Sequence, residues 1–258
     1  MDPVLPSLWR SLNEAAILLC RAAPGYEARL TPTDHMMLSG EPYAGFNHIS
    51  ICGGPRPDAQ LREFVQIARS RNLPLLALFA EELNEDLAST ATELGLQHAG
   101  SAPVMTYRPQ AGSAASSPFQ VTRVESEEDL RHATVLGSKA FGFPLDVAGR
   151  VFTPITLDLP GIESFIARRD GVPISTVWTT RGGATVGIWS MATPPEQQRQ
   201  GAGHALLTQV IANHVKRGAT LFYLMATEAG FPLYQRIGFQ TVANLAVWVA
   251  GHSVQVGQ

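Results

Sequence analysis

The residues from Ala184 to Ala226 constrain this chain most. An apolar run, Ala184 to Ala192, ends on Thr193-Pro194-Pro195, and a polar loop, Gln198-Arg199-Gln200-Gly201-Ala202-Gly203, follows shortly after. Ala205, Leu206, Val210, Ile211 and Val215 then recur with helical period, Lys216-Arg217-Gly218 forms a well-charged stop, and Leu221 to Ala226 is apolar again. Two short apolar runs around one amphipathic helix read as strand, loop, helix and buried strand. That order makes the chain α/β (α+β by some schemes).

The loop also carries chemistry. Backbone N–H groups at the start of a helix converge on an anion, and the helix dipole favours negative charge there. Gly201 and Gly203 let the main chain approach a pyrophosphate with no Cβ in the way. Gln198 and Arg199 add side-chain donors, Arg199 with charge. A Gly-x-Gly before a helix is often only a cap; the strand, the Pro-Pro break and the second strand around this one favour an anion site.

Residues 109–118, PQAGSAASSP, contain no large apolar side chain and read as a flexible linker between a front lobe, 1–108, and a back lobe, 119–258. In the back lobe Phe119 to Val124 reads as a strand, and Ser126 opens a helix with Glu127, Glu128 and Asp129 in its first turn. A short helix follows Pro144. Ile162 to Arg169, Val172 to Arg181 and Ala184 to Ala192 read as antiparallel strands turning at Asp170-Gly171 and Gly182-Gly183. After Leu221 to Ala226, a short helix over Phe231 to Arg236 ends at Gly238, and a last strand covers Leu245 to Ala250.

The front lobe repeats the end of this order. Leu61 to Ser70 (helix), Leu75 to Phe79 (strand), Glu93-Leu94-Gly95-Leu96-Gln97 and the run from Ala102 to Tyr107 match Gly201 to Lys216, Leu221 to Leu224, Arg236-Ile237-Gly238-Phe239-Gln240 and Leu245 to Ala250. The expectation is a duplicated domain; chance likeness of two α/β units is the alternative. Between Ile51 and Leu61 the front lobe has Gly53-Gly54 ahead of Pro55 and Pro57, in place of a glycine that opens a helix directly. A front copy is therefore expected to have lost its phosphate grip and to serve by packing.

The segments Gly187-Ile188-Trp189-Ser190-Met191-Ala192-Thr193-Pro194-Pro195, the Gln/Arg-x-x-Gly-x-Gly/Ala loop, and Ala229-Gly230-Phe231-Pro232-Leu233-Tyr234-Gln235-Arg236-Ile237-Gly238-Phe239 together resemble the GCN5-related N-acetyltransferase (GNAT) family. The likeness covers the whole back lobe in order. It implies a mixed, largely antiparallel sheet flanked by helices, here in two GNAT-like lobes, and acetyl-CoA as acyl donor, with no metal. It also implies that the strand ending at Met191-Ala192-Thr193 splays from its neighbour, the backbone of Met191 and Thr193 pairing with pantetheine. Residues 198 to 204 (Gln198, Arg199, Gln200, Gly201, Ala202, Gly203 and His204) would hold the pyrophosphate. Tyr234, four residues before Gly238-Phe239, would stabilise or protonate the leaving thiolate; a tyrosine packed on its short helix with the hydroxyl at the surface is the other reading.

Two departures from the family pattern stand out. Thr227 occupies a position where many members have a cofactor-contacting Asn. The strand from Val186 to Met191, where some members carry a Glu, has no acid, which leaves Glu228 as candidate base, directly or through water; as an exposed acid at a helix start it has an equally good structural explanation. Trp178 and Trp189 could line an acceptor pocket or simply pack in the core.

Charge and composition narrow the partners. Acidic residues outnumber basic ones, 22 to 19, and no basic run occurs, so nucleic acid is not an expected partner. The apolar stretch Ala15 to Cys20 is too short for a membrane span and lacks the flanks of a signal peptide, so no membrane association and a cytoplasmic location are expected. Cys20 and Cys52 lie far apart, and His35, His48, His98 and His132 are scattered singly, so no metal site is read. Three functions remain: an N-acetyltransferase acting on an amine-bearing acceptor by direct attack, a non-catalytic acyl-CoA sensor or regulatory module, and another acyl-thioester reaction such as decarboxylation of a malonyl thioester. The sequence leaves monomer and homodimer equally open.

Overall fold

The computed structural model describes residues 5–109 and 117–250. The expected linker, apart from its ends, lies outside the described residues. The chain divides into two units, and the described residues of the first are 5–104 with 241–250. That unit begins with α1 (Leu5–Leu19), β1 (Glu27–Leu30), β2 (Asp34–Leu38) and β3 (Asn47–Ile51), and continues through α2 (Pro57–Ser70), β4 (Leu75–Ala80), α3 (Glu81–Glu93) and most of β5 (Gln97–Tyr107). β1, β2 and β3 are antiparallel, whereas β3 and β4 run parallel, with α2 as the connection between them. Met36, Leu38, Ile49 and Ile51 of the sheet pack with Leu61, Phe64 and Val65 of α2 and Leu87 of α3.

The second unit spans 105–240. It holds β6 (Gln120–Arg123), α4 (Glu127–Phe141), α5 (Leu145–Val151), α6 (Pro154–Asp158), β7 (Ile162–Arg169), β8 (Val172–Gly182), β9 (Thr185–Ala192), α7 (Ala202–Lys216), β10 (Leu221–Met225) and α8 (Phe231–Ile237). The local signals explain their limits. Ser126 Oγ accepts the Asp129 N–H at 3.1 Å and caps α4 as its sequence promised. Asp170 and Gly171 both have positive φ, 51° and 79°, as a two-residue hairpin turn of the primed kind requires. The next hairpin turns on Gly183 and Ala184, one residue later than expected, with φ of 61° at Gly183.

β6 to β9 are antiparallel, and β9 and β10 are parallel across α7. Leu206, Leu207, Val210 and Ile211 of α7 pack on Phe165, Val177, Val186, Ile188 and Phe222 of the sheet. Each unit is thus a mixed, largely antiparallel sheet flanked by helices.

The last strand, β11 (Gln240–Ala250), departs from the expected boundaries. From residue 241 it belongs to the first unit, and it pairs antiparallel with β4 from Leu245↔Ala80 to Ala250↔Leu75. Ala246 and Trp248 join the first core, and Trp248 Nε1 donates to Asn84 Oδ1 at 2.9 Å. The last residues of β5 go the other way, and Met105 and Tyr107 pack in the second core. Residues 119–258 are therefore not one contiguous lobe. An alternating apolar strand fits any sheet edge of matching polarity, so the hydrophobic pattern of 245–250 does not name its partner.

Candidate functional site

The site is built where β9 leaves its neighbour. β9 pairs with β10 only at Thr185, Val186 and Gly187, although it continues to Ala192. Side chains crowd the last paired residue, Gly187. A Cβ on Gly187 would lie 2.5 Å from Trp189 Nε1, 2.7 Å from Thr180 Oγ1 and 2.8 Å from the Tyr223 ring, and the Trp189 and Tyr223 rings meet edge-on at 6.1 Å. Trp189 Nε1 donates to Thr180 Oγ1 at 2.8 Å. On the other side β9 takes three steps, Trp189 to Ala192, while β8 takes two, Trp178 to Thr176; this is a bulge, with Ser190 at φ 45°. β10 therefore leaves the main chain of residues 188–192 unpaired on its side, an open edge that an extended amide chain can join.

The polar loop starts directly beyond this edge. Pro195–Gln197 form one 3-10 turn, and Arg199 and Gly201 adopt left-handed conformations at φ 60° and 85°. Gly201 carbonyl accepts the Ala205 N–H at 3.0 Å, so the N–H groups of Ala202, Gly203 and His204 open α7 ahead of the first intrahelical bond. Left-handed turns at a helix start aim successive N–H groups into one concavity, an anion nest. Gly203 is the contact point of three elements. A Cβ there would sit 3.2 Å from Met191 Cε, 3.4 Å from Thr193 Oγ1 and 3.5 Å from Leu233 Cδ2.

The structure thus places Met191, Thr193, Gly203 and Leu233 side by side. Ala192 is buried, its carbonyl accepting from Ser175 Oγ at 2.9 Å, and Thr193 Oγ1 is 2.8 Å from the same Ser175 oxygen. Gln198, Arg199, Gln200 and His204 are exposed. Gln198 spends one amide N–H on Thr193 carbonyl at 3.0 Å, and Gln200 Oε1 accepts from Arg169, so both glutamines brace the loop from within.

Tyr234 lies on α8, not at the surface. Its ring is 7% exposed, packs over Gly230 and stands 5.9 Å from Phe239. Among the described residues no hydrogen-bond partner meets its hydroxyl, and burial pushes the phenol well above its usual pKa. Thr227 is exposed and accepts the Gly230 N–H on its hydroxyl at 3.2 Å, which leaves that hydroxyl's proton free to donate outward. Glu228 is exposed in the turn between β10 and α8. Trp178 is buried beneath Phe152 at 5.0 Å, while Trp189 is partly exposed.

Two contributors escaped the sequence reading. Ser175 fixes the end of β9, and Arg169, at the end of β7, reaches the loop through Gln200. The antiparallel order of β7, β8 and β9 was the available signal, since it brings the end of β7 and the start of β8 to the same side as the end of β9.

The first unit shows the contrasting arrangement. β3 pairs with β4 as far as Ile51↔Phe79, the last residue of β3, so this parallel pair does not open. The N–H groups just beyond, of Cys52 and Gly53, donate to Asp34 Oδ1 at 2.9 and 3.2 Å. Two of the histidines read as isolated come together here: the His35 and His48 rings are 5.8 Å apart on adjacent strands. Among the described residues no cluster of three or more His, Cys, Asp or Glu could hold a metal ion, and no helix is long and apolar enough to cross a membrane.

Residues 160–241 match the family model of the acetyltransferase (GNAT) domain. Among solved structures, the chain is similar to a GCN5-related N-acetyltransferase from Kribbella flavida (18% identity, 98% of each chain, TM-score 0.68). It is also similar to one from Sphaerobacter thermophilus (16% identity, 84% of this chain and 76% of that one, TM-score 0.60). A tandem GNAT protein from the clavulanic acid biosynthesis pathway matches at 15% identity over 90% of this chain and 86% of that one, with a TM-score of 0.57. At these identities the structures speak to the fold, and no curated protein matches in sequence. The family match over residues 160–241 takes in the opened strand, the loop and Tyr234, so this stretch of the chain is similar to a GNAT acetyltransferase domain.

Proposed function

We propose that the protein is an N-acetyltransferase that passes the acetyl group of acetyl-CoA to an amine by direct attack. The observation that carries this reading is the open edge of β9 abutting the nest at the start of α7. An amide-bearing arm and a pyrophosphate joined to each other need those two features in contact, and Gly203 provides the contact. In this reading the backbone of Met191 and Thr193 holds the pantetheine arm. Residues 198 to 204 hold the pyrophosphate, with Arg199 as charged donor and His204 at the helix start, and Thr227 donates from the end of β10.

Tyr234 serves the leaving group. A thiol has an ordinary pKa of about 8.5, so the departing thiolate is a weaker base than this buried phenolate. The phenol therefore acts chiefly by a hydrogen bond to the developing charge, in a site where burial strengthens that bond. Glu228, exposed at the end of β10, is the candidate to take the amine proton through water. The first unit, whose elements β3, α2, β4 and α3 repeat the order of β9, α7, β10 and α8, is read as the degenerate copy of a tandem pair. Its closed β3–β4 edge and the Asp34 carboxylate on the strand-end N–H groups support one acyl-CoA per chain.

Calorimetric titration should give one CoA per chain, and Gly203→Asp, which sets a carboxylate against the nest, should abolish it. Thiol release across a diverse amine panel then tests the transfer. The absence of an acid on β9 favours a second reading, a non-catalytic acyl-CoA sensor. A sensor would bind CoA with no thiol release from any amine.

A further inference from the structure

The candidate loop has a brace outside its own motif. Arg169 is the last residue of β7 and points to the α7 side of the sheet, as Phe165 and Ala167 do. Its guanidinium lies over the Phe119 ring, 5.6 Å from the centroid, and Nη2 donates to Gln200 Oε1 at 2.5 Å. The same Phe119 ring is the nearest group beneath Gly201, 3.9 Å from where a Cβ would be. Phe119, Arg169 and Gln200 thus form a stack under the two left-handed residues of the loop, Arg199 and Gly201.

We propose that Arg169 is a positioning residue for CoA pyrophosphate, holding Gln200 and through it the left-handed loop in the shape that aims its N–H groups at the anion. This rests on the acyl-CoA reading of the loop. A guanidinium suits the task because it is planar: one face stacks on an aromatic ring while its edge donates in a fixed direction. The neighbouring Arg168 does different work. It points to the other face and pairs with Asp129 of α4 and Thr122 of β6, which ties elements together away from the loop.

The test is a double-mutant cycle read by the dissociation constant of CoA. Arg169→Ala should weaken CoA binding about tenfold and leave the melting temperature within a degree or two of wild type. Gln200→Ala should weaken it less, and the double variant should bind no worse than Arg169→Ala alone, because both changes remove one brace. Arg169→Lys, which keeps the charge and loses the planar fork, should recover only a small part. Arg168→Ala should lower the melting temperature with CoA affinity intact. Unchanged affinity in Arg169→Ala, strictly additive losses in the double variant, or full rescue by lysine would each overturn the proposal while leaving the acyl-CoA reading standing. A wild-type protein that binds no CoA would overturn both.

Discussion

At the scale of single residues, the chemistry turns on where a side chain's polar end meets water. Tyr234 was legible as a candidate because its spacing to Gly238-Phe239 is local and sequence reports local spacing well. Its burial was not legible, since it depends on Gly230 and Phe239 packing around the ring. Tyr234→Phe keeps that packing and removes the hydroxyl. The expected result is a fall in kcat of about a hundredfold with CoA affinity unchanged, measured by thiol release and titration on the same preparation; a variant as fast as wild type would remove the phenol from the reaction. Arg169 illustrates the opposite case. At the end of an ordinary strand it carries no sequence signature, and only the pairing of β7, β8 and β9 brings it to the loop.

At the scale of elements, β9 is the decisive one. Its sequence reads as a plain apolar strand, and nothing in the alternation announces that pairing with β10 stops after Gly187. The stop and the bulge lie in the pairing between strands, so they are tertiary facts. Gly187→Ala places a methyl inside contact distance of Trp189, Thr180 and Tyr223. It should cost about 1–3 kcal/mol by overpacking, read as a lower urea midpoint, and a neutral outcome would mean the rings yield freely. Helix α1 shows another limit of the sequence. Residues 15–20 read as a short apolar run, yet all but Cys20 belong to a fifteen-residue helix whose Leu8, Trp9, Leu12 and Ala16 are buried. The strongly periodic α7, by contrast, was read to within a residue at each end, because cap and stop signals bound it.

At the scale of the whole molecule, pH dependence should report the buried histidines. His35 bonds Asn13 at 2.8 Å through Nδ1, and burial holds its pKa well below the usual value. Burial also lowers His48, to about 4, although a hydrogen bond with the backbone at Gly45 works in the opposite direction. His214 on α7 is fully buried beside Thr179 Oγ1; burial, with Arg217 adding to it, lowers it to about 4, against the upward pull of Glu163. Glu163 moves the same way for a different reason: burial would raise it, but Arg217, His214 and Arg123 outweigh that and hold it low.

Each histidine is neutral when folded and takes up a proton near pH 6.5 when unfolded, so the unfolded state binds more protons between about pH 6.5 and 4. Stability should therefore be flat between about pH 7 and 8 and fall as the pH drops through that window. His48 and His214 would each account for a few kcal/mol at most, on the order of 1–3. Melting temperatures at pH 7.5 and 5.0 check this, and His214→Gln should flatten the slope; equal melting at both pH values would contradict it.

The sequence by itself determined the α/β class, the Ser126 cap of α4, the turn at Asp170-Gly171 and the glycine loop that opens α7, because each is written in residues close together along the chain. Tertiary structure alone decided that 241–250 completes the first unit's sheet, that β9 opens beside the loop, and that Asp34 takes the N–H groups at the end of β3. Those outcomes depend on which strands and side chains meet across long separations. The hydrophobic pattern sets which face is buried, and it leaves the choice of partner to packing.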